Sequence, residues 1–376
     1  MKFKTATIAI VLIAAAQAKL SNSKNLGPLT VLGDAYQDPQ DIPKSRLYPI
    51  WINLDLSPAE RLNPLHSIFA AKLKQLEGPI MQKIKRVFRD QTIFTTVLPK
   101  LHKYLKEFRS NQEFYEEMVS ISRASGVQLS HIILFNFFYE LSNAKLCTSI
   151  VARNSKGEIL TGSNLDFSFH QELAQLAYVG KYRKAGKTLF LGQTIYGLVG
   201  MLRGSRPGKY SLAINQRFTE RVEILKRLNT DALEVLFLIR KVLQTQDSYS
   251  EAVSMLKTAK LLGAAYYVIG GSNAQEGGAL ITRNSDSLHA SYTLNDSTWF
   301  LVQTNSDRQY IYNRRAAAEK KLKQVGQENL ELNDLLKILS ESPNHMVYSG
   351  TATITTVISK NSEENQTYAY LWKQLG

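Results

Sequence analysis

Cysteine is almost absent from this sequence. Cys147 stands alone among 376 residues, so neither an intramolecular disulfide nor a cysteine-based zinc site can form. The six histidines, His66, His102, His131, His170, His289 and His345, show no metal-ligand spacing and read as surface or core residues. No Gly-x-Ser-x-Gly occurs, which removes the nucleophile elbow of the serine hydrolases. Gly204-Ser205-Arg206-Pro207-Gly208-Lys209-Tyr210 lacks the spacing of a phosphate loop and the Ser or Thr that follows its Lys. The stretch from Gly197 to Gly208 therefore reads as a turn, placed where it could pass over a substrate. Beyond the N-terminal segment no apolar run approaches the ~20 residues of a spanning helix. Negative charge is the scarcer sign: 32 Asp and Glu face 46 Lys and Arg, a net +14. The basic residues are dispersed and no nucleic-acid motif accompanies them, so lipid or another acidic partner is favoured over nucleic acid.

What is present suits a folded globular protein: 44% apolar residues, 10% aromatic and 21% charged. Lys2 and Lys4 precede an apolar run from Ile8 to Ala16, and Ala16-Gln17-Ala18 has the small-x-small form that signal peptidase reads. Residues 1–18 are expected to be a signal peptide, whose removal would take the charge from +14 to +12. In a secretory lumen Asn295-Asp296-Ser297 and Asn365-Gln366-Thr367 become glycan acceptors.

Residues 19–50 are turn-rich, with Pro28, Pro39 and Pro43, and lead into a strand over 48–54. Ser57-Pro58-Ala59-Glu60 carries a cap, a proline at the first helical position and an acid three residues after the cap, so a helix is expected to start there and to be disturbed at Pro64. Apolar spacing predicts mainly helix from Ile80 to Leu141. After Cys147 the texture changes. Thr148 to Ala152 and Glu158 to Gly162, joined by Asn154-Ser155-Lys156-Gly157, read as a hairpin. Further strands are expected over 189–195, 210–214, 266–270, 279–282, 299–303, 351–358 and 367–372, and helices over 231–243, 249–257, 312–325 and 330–339. Strands and helices in blocks predict an α+β fold with two sheets layered between helices.

Cys147 sits where the helical third meets the first hairpin. A chain cut before it would start a strand with a residue that supplies both a thiol and an α-amine, whose pKa of roughly 7.7–8.0 suits it to take the thiol proton. Such a nucleophile needs no histidine. Around it, Leu146-Cys147-Thr148-Ser149-Ile150-Val151-Ala152 followed by Gly162-Ser163-Asn164-Leu165-Asp166-Phe167 resembles the acid ceramidase and N-acylethanolamine-hydrolysing acid amidase family of N-terminal nucleophile hydrolases. Phe135 to Leu141, Gly200-Met201-Leu202-Arg203-Gly204, Gly270-Gly271, Val302-Gln303-Thr304-Asn305 and Arg314-Arg315 extend the resemblance over nearly all of the chain beyond residue 18.

The resemblance implies a four-layer αββα N-terminal nucleophile hydrolase core with a helical N-terminal segment. It implies a precursor cut between Leu146 and Cys147 into a helical chain, 19–146, and a catalytic chain, 147–376, which stay together as an α/β heterodimer. The implied activity is hydrolysis of a lipid amide in a lysosomal or secreted setting, with no cofactor and no metal. The substrate would be met on an anionic membrane or a lipid-presenting activator protein. The implied site is Cys147 as nucleophile, Asp166 near the amine or substrate, Asn305 as oxyanion partner and Arg315 as the site arginine. The chain departs from the family at Ser306, where the family often has an aromatic that bears on substrate fit, and at Ser163, where the family usually has arginine. Without that cation beside the thiol, either another, such as Arg315, compensates, or turnover is weakened, or the protein is a lipid-binding relic; if the loss limits catalysis, Ser163→Arg accelerates it. Bile-salt and penicillin-type amides are alternative substrates for the same nucleophile.

Overall fold

The computed structural model describes residues 44–46, 49–88, 93–142, 147–167, 175–310, 313–341, 343, 352–359 and 366–373; the expected signal peptide, Leu146 and Asn365 lie outside these. Two strands come first, β1 (Lys44–Arg46) and β2 (Pro49–Asn53). The helix expected from Ser57 begins later. Residues 57–62 form turns closed by Ser57 Oγ donating to Glu60 at 2.6 Å, and α1 (Asn63–Phe88) starts with Pro64 in its first turn. There the missing N–H of proline costs nothing, so Pro64 opens the helix instead of disturbing it. Leu65, Leu73, Leu76, Ile80 and Ile84 line its buried face at helical spacing.

Three more helices follow: α2 (Leu98–Glu107), α3 (Gln112–Ser125), ended by Gly126 at φ 69°, and α4 (Leu129–Leu141). In α4 Ile132, Ile133, Leu134, Phe135, Phe137, Phe138 and Leu141 are all buried, the all-round apolar composition of a helix enclosed by others. Burying each such side chain contributes about 1.5–3 kcal/mol. The buried polar residues of α4 are Asn136 and Glu140, and Asn136 has a positioning role. Its amide nitrogen donates to Gly197 O at 2.7 Å and its oxygen accepts from Val199 N at 2.8 Å, which ties α4 to the sheet layer. Gly197 has φ 110°, and a side chain there would meet Phe135 at 2.8 Å.

Next come β3 (Cys147–Arg153), β4 (Ile159–Phe167), β5 (Ala177–Lys184), β6 (Lys187–Ile195), β7 (Arg203–Arg206) and β8 (Tyr210–Gln216). The stretch read as one turn from Gly197 to Gly208 thus holds a strand, β7, and the tight turn to β8 at Gly208, φ 70°. Helices α5 (Arg221–Arg227), α6 (Val235–Thr245) and α7 (Tyr249–Thr258) precede β9 (Ala265–Gly270), β10 (Gly278–Arg283), β11 (Leu288–Thr293) and β12 (Phe300–Gln303). The chain closes with α8 (Asn313–Val325), α9 (Leu332–Ser340), β13 (Ala352–Ser359) and β14 (Gln366–Lys373).

One sheet runs β1-β14-β13-β4-β3-β12 and the other β11-β10-β9-β8-β7-β6-β5-β2. They lie face to face, with α6 and α7 against the eight-stranded sheet and α8 and α9 against the six-stranded one, an αββα sandwich. Val151 and Ile159 from one sheet meet Val268 and Leu280 from the other in the inter-sheet core. The described part of the segment before Cys147, from Lys44 on, packs with the sheets. It supplies an edge strand to each sheet, β1 antiparallel to β14 and β2 parallel to β5, and Phe114 on α3 stacks on Phe237 of α6 with ring centroids 4.2 Å apart.

Candidate active site

Strand register brings the first two site residues together. β12 pairs antiparallel with β3 so that Gln303 faces Ser149, and the same register carried two residues further sets Asn305 opposite Cys147. There Asn305 Oδ1 accepts from the Cys147 backbone N–H at 2.7 Å, and its Nδ2 donates to Gln216 O at 3.0 Å. That leaves the second Nδ2 hydrogen for another acceptor.

The arginine at this point is Arg314, and here the sequence reading needs correction. Arg314, in the first turn of α8, donates to Cys147 O at 2.7 Å, to Thr148 Oγ1 at 3.4 Å and to Asn305 Oδ1 at 3.0 Å. Arg315 is one residue on, about 100° around the helix, so it faces elsewhere. It donates to Arg308 O at 2.8 Å and Tyr310 O at 2.6 Å, with Glu319 at 3.7 Å, and so fixes the loop before α8. Adjacent arginines cannot be told apart without the start of the helix.

The thiol lies between the sheets. Side chains alternate along a strand, and Ser149 and Thr161 both reach the eight-stranded sheet, Ser149 to Asn215 at 2.5 Å and Thr161 to Ser211 at 2.8 Å. Cys147 and Ser163 share that face by parity, since Cys147 pairs with Leu165 and Ser149 with Ser163. Cys147 is 2% exposed, and burial pushes its thiol up. The Gln216 N–H, the Arg203 charge and Asn305 pull it back, while Asp166 adds to the rise. Asp166, adjacent to Leu165 on β4, is buried and close enough to act electrostatically on both Cys147 and Arg203. The structure thus gathers Cys147, Asp166 and Asn305 and excludes Arg315.

Three site neighbours were not singled out in the sequence, although Tyr139 and Arg203 lie inside segments that carry the family resemblance. Gln216 ends β8, meets the thiol through its backbone N–H, and its side chain donates to the carbonyls of Tyr139 and Ser142 at the end of α4. Arg203 on β7 is 1% exposed and donates to Ser163 O at 2.7 Å. Tyr139 is half-buried, with a buried hydroxyl that has no hydrogen-bond partner among the described residues, and its proton is held well above the usual tyrosine range by burial and by the thiol. A β-run pattern marks strands but not which strand ends converge, so these three needed the fold.

Away from the thiol, Asn295 lies in an exposed turn where its Oδ1 accepts from Ser297 and Thr298. His66 bridges Tyr196 at 2.7 Å and Ser120 at 2.8 Å. Among the described residues no cluster of three His, Cys, Asp or Glu is placed to hold a metal ion, and no helix is long and apolar enough to cross a membrane.

The chain is similar to known proteins. A model of the linear amide C–N hydrolases, choloylglycine hydrolase family, matches residues 147–289, beginning at the thiol. Acid ceramidase of Pan troglodytes is 33% identical over 341 residues, 84% of this chain and 84% of that protein. Acid ceramidase of Homo sapiens shows the same identity and coverage. Among solved structures, the Caenorhabditis elegans N-acylethanolamine-hydrolyzing acid amidase ortholog is 32% identical and superposes with a TM-score of 0.50, covering 56% of this chain and 92% of that one.

Proposed function

Because the chain belongs to the acid ceramidase and N-acylethanolamine acid amidase family and is an amide hydrolase, we propose that it cleaves the N-acyl amide of ceramide-like lipids, after cutting itself before Cys147. One contact carries the reading: the nitrogen that would become the α-amine is already held, 2.7 Å from Asn305 Oδ1, in the uncut chain.

In self-cleavage the Cys147 sulfur attacks the Leu146 carbonyl carbon and the C–N bond breaks as the acyl group moves to sulfur. Water then hydrolyses the thioester, leaving a carboxylate on Leu146 and a free α-amine on Cys147. In turnover that amine takes the thiol proton while the thiolate attacks the lipid amide carbonyl. The second Nδ2 hydrogen of Asn305 is available to the tetrahedral oxyanion. The sphingoid amine leaves with the proton, and water attacks the acyl-enzyme to release the fatty acid.

The setting proposed is lysosomal or secreted, entered through the signal peptide over residues 1–18, with Asn295 and Asn365 glycosylated. The partner is an anionic membrane or a lipid-presenting activator protein, met through the +12 charge of the processed chain; no nucleic acid is involved. N-acylethanolamines are the second substrate reading, favoured by the 32% identity to the nematode amidase. Processed enzyme given N-acylsphingosine and N-acylethanolamine in parallel should release fatty acid faster from the first. Release from neither, or release undiminished in Cys147→Ala, would overturn the proposal.

A further inference from the structure

With serine at 163, that position on β4 brings no cation to the thiol, yet the opposite sheet supplies one. Arg203 comes from β7 in the opposite sheet, is 1% exposed, and puts Nη1 2.7 Å from the carbonyl oxygen of Ser163. Ser163 lies one inward-facing position along β4 from Leu165, the partner of Cys147, and successive inward positions on a strand are about 7 Å apart. The narrow space between the sheets is lined here by Ile150, Thr161, Gly162, Ser163, Arg203 and Leu212. A small side chain at 163 therefore gives the Arg203 head its berth.

We propose that Arg203 is the positioning cation of the Cys147 thiol, supplied across the sandwich from the second sheet to the place vacated on the first by Ser163. Its charge favours the thiolate in self-cleavage and in turnover, and it faces Asp166 and Tyr139 in the same buried cluster. Burial draws the guanidinium down to about 10, so it still keeps its proton through the acidic and neutral range. The inference rests on the nucleophile reading of Cys147 and goes beyond it, because it makes a strand outside the Cys147 hairpin part of the site.

The test uses the full-length precursor and follows both the rate of self-cleavage and the thiolate ultraviolet absorbance as pH is raised; with one cysteine in the chain, the thiolate signal belongs to Cys147. Arg203→Met should move the thiolate titration and the acid limb of cleavage about one pH unit to the alkaline side, and slow cleavage about tenfold below it. The exchange Ser163→Arg with Arg203→Ser should bring both back toward the parent, since it returns one guanidinium to the same space. If Arg203→Met does not accumulate as folded protein, Arg203→Gln removes the charge while keeping a donor for the Ser163 carbonyl. A neutral variant that is folded and unshifted in both profiles would overturn the proposal, as would a folded exchange variant as slow and as shifted as Arg203→Met. Cleavage persisting in Cys147→Ala would instead overturn the underlying nucleophile reading.

Discussion

Asn305 Oδ1 accepts two donors at once, the Cys147 backbone N–H at 2.7 Å and Arg314 Nη2 at 3.0 Å. With Nδ2 given to Gln216 O, the orientation of the amide is fixed by its partners on both sides. An amine formed at that nitrogen keeps its donor bond to Asn305 and presents its lone pair to the thiol proton. If the chain is cut before Cys147 as proposed, holding the group beforehand would leave it in place for turnover.

Asn305→Ala is expected to lower turnover about 10²–10³-fold, the range found when one oxyanion donor is lost, and to slow self-cleavage as well. The KM should stay near the parent value, because the loss falls on the reacting atoms. Comparison of kcat and KM in processed enzyme checks this; a variant altered only in KM would place Asn305 in substrate binding.

Arg314 and Arg315 should separate cleanly. Arg314→Ala removes the contacts to Cys147 O and Asn305 and should slow self-cleavage at least about tenfold in folded protein. Arg315→Ala leaves the carbonyls of Arg308 and Tyr310 without their charged donor, each such bond being worth about 1.5–3 kcal/mol, so it should lower Tm while the folded fraction still cleaves. The opposite pattern would restore the assignment made from sequence.

A buried acid pair sets the pH dependence of stability. Glu140, at the end of α4, and Glu234, whose carboxylate caps α6 through Leu236 N at 2.7 Å and Phe237 N at 2.9 Å, form no ion pair among the described residues. The hydroxyls of Tyr104, Tyr139 and Tyr267 face one or both. Burial raises both carboxyls above their ordinary 4.5, Glu234 to about 8. The unfolded chain releases these protons near 4.5 while the folded chain retains them, so this contribution is fully present below about 4.5 and is lost as pH rises to about 8. Thermal unfolding should show the pair favouring acidic over neutral pH, and Glu140→Gln should flatten the slope. A parent Tm rising across that window, or a slope unchanged in Glu140→Gln, would contradict it.

Association with anionic vesicles should fall as salt rises, because dispersed basic charge acts over a screening length of about 8 Å at physiological ionic strength. Co-sedimentation at low and high salt checks this. Binding absent at low salt, or indifferent to salt, would leave the net charge with a solubility role alone.

The sequence disclosed what is periodic or local. The hairpin after Cys147 was legible because alternation and a Gly-containing turn have a mechanism, and the late helices because their apolar faces recur at helical spacing. Pro64 was misread since the same residue breaks a helix inside it and starts one at its end. The site divided along the same line. Cys147, Asp166 and Asn305 were named through the family resemblance; Arg203 lay within one of its motifs, but its approach to Ser163 from β7, like that of Gln216 to the thiol from β8, comes from sheet-on-sheet packing, which no window of sequence encodes. Ser163 shows the consequence. Read alone it is a missing cation that Ser163→Arg would repair, but with Arg203 already seated at its carbonyl a second guanidinium meets like charge and a filled space, at a cost of about 1–3 kcal/mol from overpacking. Ser163→Arg alone is therefore expected to slow cleavage, reversing the sign the sequence suggested.

The mass of the purified chain after incubation at acidic pH, measured beside Cys147→Ala with no protease added, tests the central claim most directly. The account predicts a parent fragment beginning at Cys147 and an intact Cys147→Ala chain. A parent that stays whole, or the same cut in Cys147→Ala, would contradict it.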